Sequence, residues 1–317
     1  MSAEGEGGRN GLHRKREIRL AVIFATSAHL IYGIMPIYMK LLTAVPPGQI
    51  MAHRVIWSVL LLAGIALAVK RWGLVWAAFR RPRIIALFAI AALLIGTNWL
   101  LYIWAVLHNY VLETSLGFFI TPLMTVLLGV VALRERLSRL RSLAMGLAVV
   151  GVAALAIGQG GTLWIALVLA LTFSVAGLIR KVVSVDPLSG LLIETSIMAP
   201  IAIGWLWWIS ERREGLFGAD LTVDVLLVLT GVVTAVPLLL FTAATKRMDY
   251  SLAGQFQYIG PTLQFLQAVL LFNEPFGLVH LFTFVCIWTG LGIYTFDVFR
   301  TGRKAVPIAE ATSAVPK

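Results

Sequence analysis

Ten blocks of about 18 to 22 mostly apolar residues follow one another along the chain. They occupy residues 20–39, 50–69, 84–105, 112–132, 141–158, 162–179, 189–209, 223–243, 251–272 and 278–298. Each is long enough to cross a hydrocarbon layer of roughly 30 Å as α-helix, and the pattern is not the short alternation of an outer-membrane barrel. The expected fold is therefore an all-α integral membrane protein with ten transmembrane helices. Composition agrees: 59% of residues are hydrophobic and 13% are charged, where a globular chain has about a quarter charged. The first block follows a polar tail and runs directly into a second span, so it reads as a retained helix rather than a cleaved signal peptide. Residues 1–19 and 299–317, rich in Gly, Ala, Ser and charge, read as disordered tails.

The formal charge of +11 invites a nucleic-acid reading, and the placement of the charge argues against one. With the amino terminus in the cytoplasm, 22 of the 26 Lys and Arg residues fall in the tails and in alternate loops on that side. The positive-inside rule then orients every span consistently and leaves both termini cytoplasmic. The charge is topology, and no nucleic-acid partner is expected. Cys286 stands alone, which excludes an intramolecular disulfide and a cysteine metal site. The sequence has no H-E-x-x-H, G-x-S-x-G, P-loop or Gly-rich dinucleotide turn, so neither an enzyme nor a cofactor is expected. Any work must draw on a gradient or on exchange.

Two stretches repeat one arrangement: FFITPLMTVLLGVVALRE at 118–135 and QYIGPTLQFLQAVLLFNE at 257–274. In each a proline stands 13 positions before a glutamate, Pro122 before Glu135 and Pro261 before Glu274. The offset is 139 residues, and a near-identical offset of 140 lays PPGQIMAHR (46–54) over DPLSGLLIE (186–194), matching Pro47 to Pro187 and Arg54 to Glu194. Matches in the same order at similar offsets indicate an internal duplication, with halves at 20–158 and 162–298. Five helices per half is an odd number, so the second half enters the membrane from the opposite side. Such inverted repeats suit alternating access around a shared midplane site, the geometry of a transporter. A non-transporting scaffold or sensor, and a facilitative channel, are the rival readings.

Polar groups inside the spans are the candidate machinery. A charge at mid-helix costs about 2.5 to 3.5 kcal/mol on insertion scales, so Arg54 needs a reason. It is expected either to snorkel or to face the cavity paired with Glu113, which opens the fourth helix at the same depth. Glu194 follows a loop of the other side and is expected to pair with Arg180, Lys181, Lys246 or Arg247. Arg54, Glu113 and Glu194 would then form outer and inner gates, or static structural pairs. Glu113 is also the proton-coupling candidate.

Gln257, Pro261 and Gln264 fall at i, i+4 and i+7, one helix face, with Tyr258 beside it. That face either lines a substrate path or makes interhelical hydrogen bonds. Asn98 and Tyr102 share another face next to Trp99, and Tyr32 lies three residues from His29. Together, Tyr32, Asn98, Tyr102, Gln257, Tyr258 and Gln264 are the expected substrate-binding set, polar groups among aromatic walls. Pro122 and Pro261 are the expected sites of helix irregularity, and Glu135 and Glu274 are expected to cap or orient helix ends.

Several longer segments carry a resemblance. HRVIWS (53–58), NWLLYIWAV (98–106), LETSLGFFITPL (112–123), ERLSRL (135–140), DPLSGLLIET (186–195), VVTAVPLLLFTAA (232–244) and QYIGPTLQF (257–265) are similar to the RarD family. That family is a branch of the EamA-type drug/metabolite transporter superfamily, and the similarity runs over residues 18–298. The resemblance implies ten helices in two inverted five-helix repeats, a bacterial plasma-membrane location, and export of small metabolites or drugs. Tyr32, Thr121 and Gln255 stand where that family usually has Trp, Asn and an aromatic residue. The expected partners are the lipid bilayer, a small-molecule substrate and a proton or exchanged solute, with the chain acting as a monomer.

Overall fold

The computed structural model describes residues 3–133, 138–159, 161–183, 185–245, 247 and 256–302. In chain order the helices are α1 (Ala3–Gly33), α2 (Met35–Lys40), α3 (Pro47–Ala68), α4 (Trp72–Phe79), α5 (Pro82–Leu107) and α6 (Val111–Leu133). They continue as α7 (Arg139–Gln159), α8 (Leu163–Val183), α9 (Pro187–Glu211), α10 (Leu221–Thr245), α11 (Ile259–Leu266) and α12 (Leu278–Gly302). A π-helical segment, Gln267–Leu271, prolongs α11. Among the described residues there is no strand, and nine helical stretches are long and apolar enough to cross a membrane. Glu135 and Gln255 lie outside the described residues.

Local chemistry sets the ends of these helices. Pro36, Pro47, Pro82 and Pro187 each stand in the first turn of a helix, where the missing N–H costs nothing. Lys70, Asn109 and Arg213 adopt φ of 56°, 63° and 55° just past the ends of α3, α5 and α9. The next amide then returns to the helix, as Arg71 N–H to Ala66 O at 2.8 Å and Tyr110 N–H to Ala105 O at 2.8 Å. These are left-handed C-terminal caps that satisfy carbonyls the helix leaves open.

The helices pack across the middle of the chain rather than within each half. α1 packs on α10 and α11, while α8 packs on α5 and α6; α3 packs on α9 and α10, α5 on α9, and α7 on α12. Small residues let the backbones meet. A Cβ at Gly231 of α10 would lie 2.6 Å from the Trp57 carbonyl carbon of α3, so only glycine fits there.

Polar bonds tie the loops into two ends. Arg71 with Asp186 (3.6 Å), Arg247 with Glu17 (3.1 Å) and Arg141 with Asp297 (2.8 Å) join loops and helix termini at the arginine-rich end. At the opposite end Lys40 donates to Asn109, Thr162 donates to Glu113 (2.7 Å), and the Gln49 amide bonds the Glu214 carbonyl (2.9 Å).

Four expectations change. The first span is not one helix: it breaks between Gly33 and Met35 because Pro36 cannot donate to the Tyr32 carbonyl four residues back. The stretch 251–272 is not a continuous helix either, since Gln257 and Tyr258 form a turn, α11 has eight residues, and the chain then widens to π geometry. Residues 3–19, read as a disordered tail, continue α1, and Glu17 there meets Arg247. The basic segment after α3 holds a short extra helix, α4, whose exposed Trp72, Leu74 and Trp76 suit a membrane interface.

Candidate functional site

Among the described residues Arg54 is the buried member of the Lys and Arg set. It sits on α3 with 4% of its surface exposed, its Nε donates to Thr234 Oγ1 of α10 at 2.8 Å, and its guanidinium lies 4.2 Å from the Trp99 ring centroid of α5. Gly231 makes the first contact possible by letting α10 close on α3 one turn away. A desolvated guanidinium over indole gains about 2 kcal/mol, which offsets part of its burial cost. Tyr32, Tyr38 and Tyr102 all lie within electrostatic range of the charge. Among the described residues no carboxylate forms an ion pair with Arg54. The expected pair with Glu113 is therefore not made here: Glu113, at the head of α6, accepts from Thr162 instead.

Glu194 is fully buried on α9, and Arg180 of α8 holds it with two hydrogen bonds, Nε to Oε1 at 2.8 Å and Nη2 to Oε2 at 2.6 Å. Arg180 is one of the four basic residues named for it, and two parallel bonds are the strong form of this pair. Tyr32 is within electrostatic range of both Arg54 and Arg180.

The other expected site residues divide. Tyr102 joins the Arg54 group; it is 5% exposed, its ring is 5.7 Å from Phe118, and its hydroxyl has no hydrogen-bond partner. Asn98 is a clamp between helices, its amide donating to the Leu169 carbonyl (2.8 Å) and to Thr172 Oγ1 (2.9 Å) of α8. Gln264 is a clamp too. Its amide donates to the Tyr32 carbonyl at 3.0 Å, the acceptor that Pro36 leaves open, and Gln267 serves the Gly33 carbonyl at 2.7 Å. The proline break and the glutamines form one device. Pro36 and Gln267 carried signals in the sequence, a proline inside an apolar block and a further polar residue three positions after Gln264. Thr234 carried none.

Gln257 does not share the face of Pro261 and Gln264: it is exposed in the turn before α11, while those two are buried. Tyr258 instead borders a cavity of about 460 Å³ lined with Phe119, Thr262, Trp288 and Leu291, between α6, α11 and α12. A second cavity, of about 260 Å³, opens between α3 and α9 beside Gln49, His53 and Phe217. Pro122 lies inside an unbroken α6, whereas Pro261 lies in the first turn of α11 and its carbonyl accepts from Ser115 of α6 (2.8 Å). Glu274 caps a neighbouring helix: its carboxylate accepts from the amides of Val111 (2.8 Å) and Leu112 (2.7 Å) at the head of α6. Burial pushes its pKa up, against the downward pull of those two amides.

The comparisons with known proteins settle the family. The EamA-like transporter family matches residues 19–157. The chain is 42% identical to the protein RarD of Salmonella typhi over 290 residues, 91% of this chain and 99% of that one. This chain belongs to the RarD family of EamA-like transporters. A more distant relative, the chloramphenicol-sensitive protein RarD of Pseudomonas aeruginosa, is 31% identical over 287 residues, covering 89% and 96% of the two chains. A solved crystal structure superposes with a TM-score of 0.57 at 19% identity, over 89% of this chain and 98% of that one. At that identity the likeness concerns the fold. RarD-family membership and the nine apolar helices among the described residues make this a multi-pass membrane protein.

Proposed function

We propose that this RarD-family chain is a secondary transporter that exports small organic solutes across the bacterial plasma membrane by alternating access. The observation that carries the reading is the pattern of helix pairing. Let α1 with α2, then α3, α5, α6 and α7, be the first to fifth spans of one half. Let α8, α9, α10, α11 with its π segment, and α12 be those of the other. The first span of each half then packs on the third and fourth of the other, the second on the second and third, and the fifth on the fifth. Exchanging the halves returns the same set of contacts, which supports two inverted five-helix units and the rocking motion such units permit.

The site at the junction suits a bound solute: a buried cation, tyrosines and an indole face, on helices from both halves. Arg180 with Glu194 is the gate of the arginine-rich end, which faces the cytoplasm with both termini. A gradient or an exchanged solute supplies the energy. The break at Pro36 and the short α11 are the places where the bundle can bend.

The test is release of solute from proteoliposomes loaded with a ¹³C-labelled bacterial metabolite extract, followed by mass spectrometry. Saturable release of particular solutes, accelerated by the same solute outside, is the expected result. No release beyond protein-free vesicles supports a scaffold or sensor, and release without counterflow supports a channel.

A further inference from the structure

We propose that Arg54 anchors a carboxylate, so that the solute of this transporter is a small organic monoanion with an apolar or aromatic body. The inference rests on the transporter reading above and adds the substrate class. Its first support is the charge balance. Arg180 and Glu194 neutralise each other through two short bonds, whereas Arg54 has Thr234 and the Trp99 face but no carboxylate among the described residues. Among the described residues Arg54 is thus a buried positive charge without an ionic partner, 4% exposed, and one anion would balance it.

The second support is the hydrogen-bonding character of the surroundings. Tyr102 Oη, within electrostatic range of Arg54, is buried without a partner, and so is Ser58 Oγ, one turn along α3 from Arg54; Trp57 Nε1 is a further unpartnered donor on α3, on the side of Phe217 and His53. All three can donate, and indole N–H can do nothing else. Buried polar atoms without partners are uncommon and call for an occupant. Unpartnered donors on α3 and α5, the helices that carry Arg54 and Trp99, match the acceptor-only oxygens of a carboxylate. The unpartnered amide oxygens of Gln264 and Gln267, at the Pro36 clamp, are neutral and do not offset a full charge.

Charge count and walls narrow the class further. A phosphate ester carries close to two negative charges near neutral pH and would leave one unbalanced, while a carboxylate leaves none. A planar guanidinium fork suits the two carboxylate oxygens. Trp99 and Tyr102, with Tyr32 and Tyr38 nearby, offer ring surface to an apolar body.

The experiment uses the full-length protein in nanodiscs, with thermal unfolding followed by tryptophan fluorescence. The probes are acids with their amides: benzoate and benzamide, indole-3-acetate and indole-3-acetamide, hexanoate and hexanamide. Benzylamine and phenyl phosphate complete the set. At least one acid is expected to raise the midpoint by several degrees in a concentration-dependent way, with its amide inert. Arg54→Gln is expected to abolish the shift while keeping a cooperative transition, and Arg54→Lys to weaken it. If Arg54→Gln does not fold, Arg54→Lys alone carries this arm, and an unweakened shift counts against the proposal.

Acids no better than amides, a preference for benzylamine or phenyl phosphate, or a wild-type response from Arg54→Gln would each overturn it. The proteoliposome assay separates the two readings. Release of only neutral or cationic solutes sinks the anion and leaves transport standing. An acid-dependent shift with no release of any solute leaves the anion site standing and sinks transport.

Discussion

Arg54 and Glu194 occupy matching places and meet different fates. Each lies seven residues into a helix that opens with proline, Pro47 for α3 and Pro187 for α9, and each is nearly sealed from solvent, at 4% and 0% exposure. Glu194 takes a bidentate arginine from the neighbouring α8, and the two charges cancel. Arg54 takes a hydroxyl and an aromatic face, and its charge stays. Burial alone therefore does not decide what a charged position is for. What decides is whether the protein supplies the counter-charge itself, closing the position as structure, or leaves it to something that arrives from outside.

Stability should separate the two sharply. Glu194→Gln strands the Arg180 guanidinium; losing one partner of a buried pair costs about 3 to 5 kcal/mol, and the third of Arg180 that reaches solvent lowers this to roughly 2 to 3 kcal/mol. Arg54→Gln removes a charge that has no ionic partner to strand, so its cost should stay within about 1 kcal/mol. Thermal unfolding of the two variants in one detergent measures both. A loss for Arg54→Gln equal to that for Glu194→Gln would mean that the protein already neutralises Arg54, and the contrast would collapse. Adding Arg180→Gln to Glu194→Gln should recover most of the loss.

The sequence made this contrast only half legible. Block length, loop charge and the repeated spacing announced a helical membrane bundle, because hydrocarbon thickness and the positive-inside bias act on composition directly. The partner of Glu194, Arg180, was readable only as one of four basic residues on one side, because helix direction sets depth. That Arg54 passes over Glu113 was not, since depth says nothing about which side of a helix a residue faces. Gln264 shows the same limit. A polar residue on a membrane helix is consistent with lining or clamping, and the choice depended on Pro36, more than 200 positions away in sequence, opening a carbonyl for it. Gln257 failed because the i, i+7 count assumes an unbroken helix, and the chain turns at 257–258.

The glutamine clamp extends the comparison to two further helices, α1 with the break that follows it and the unbroken α8. Gln264→Leu leaves the Tyr32 carbonyl buried and unpaired, at a cost of about 1 to 2 kcal/mol. Pro36→Ala restores an amide in reach of that carbonyl, so the double variant should be less destabilised than the two single losses summed. Thermal midpoints of the three variants test this. Strict additivity would show that the glutamine does not answer the proline.

Two carboxylates at helix heads provide a smaller, pH-dependent contrast. Glu274 caps α6 from a buried position, and burial holds its pKa above the ordinary 4.5 despite the two amides. The folded state then binds its proton more tightly than the unfolded chain, so this group's contribution falls as pH rises from 4.5 through the raised value. Asp220 caps α10 in full solvent, and its bonds from Val223 and Thr222 hold its pKa below 3.8. Its contribution is present above 3.8 and is lost as pH falls through the lowered value. Unfolding midpoints between pH 4 and 7 should rise toward acid for the wild type relative to Glu274→Gln, with no such difference for Asp220→Asn. A flat difference for Glu274→Gln would mean that the amides, not burial, govern the carboxyl.

The smallest expected effect bears most directly on Arg54. If Arg54 and Glu113 formed a gate pair, either single change would remove the same interaction, and the double variant would lose little more than one of them. In the structure they have separate partners, Thr234 and Trp99 for Arg54 and Thr162 for Glu113. Groups without shared partners add to within about 0.3 to 0.5 kcal/mol. Arg54→Gln, Glu113→Gln and their combination should therefore be additive both in stability and in the logarithm of the solute-release rate. Additive stability with a strongly non-additive rate would show that the pair forms only in the other conformation of the cycle. Arg54 would then be a gate residue whose anion is Glu113, and its likeness to Glu194 would be restored.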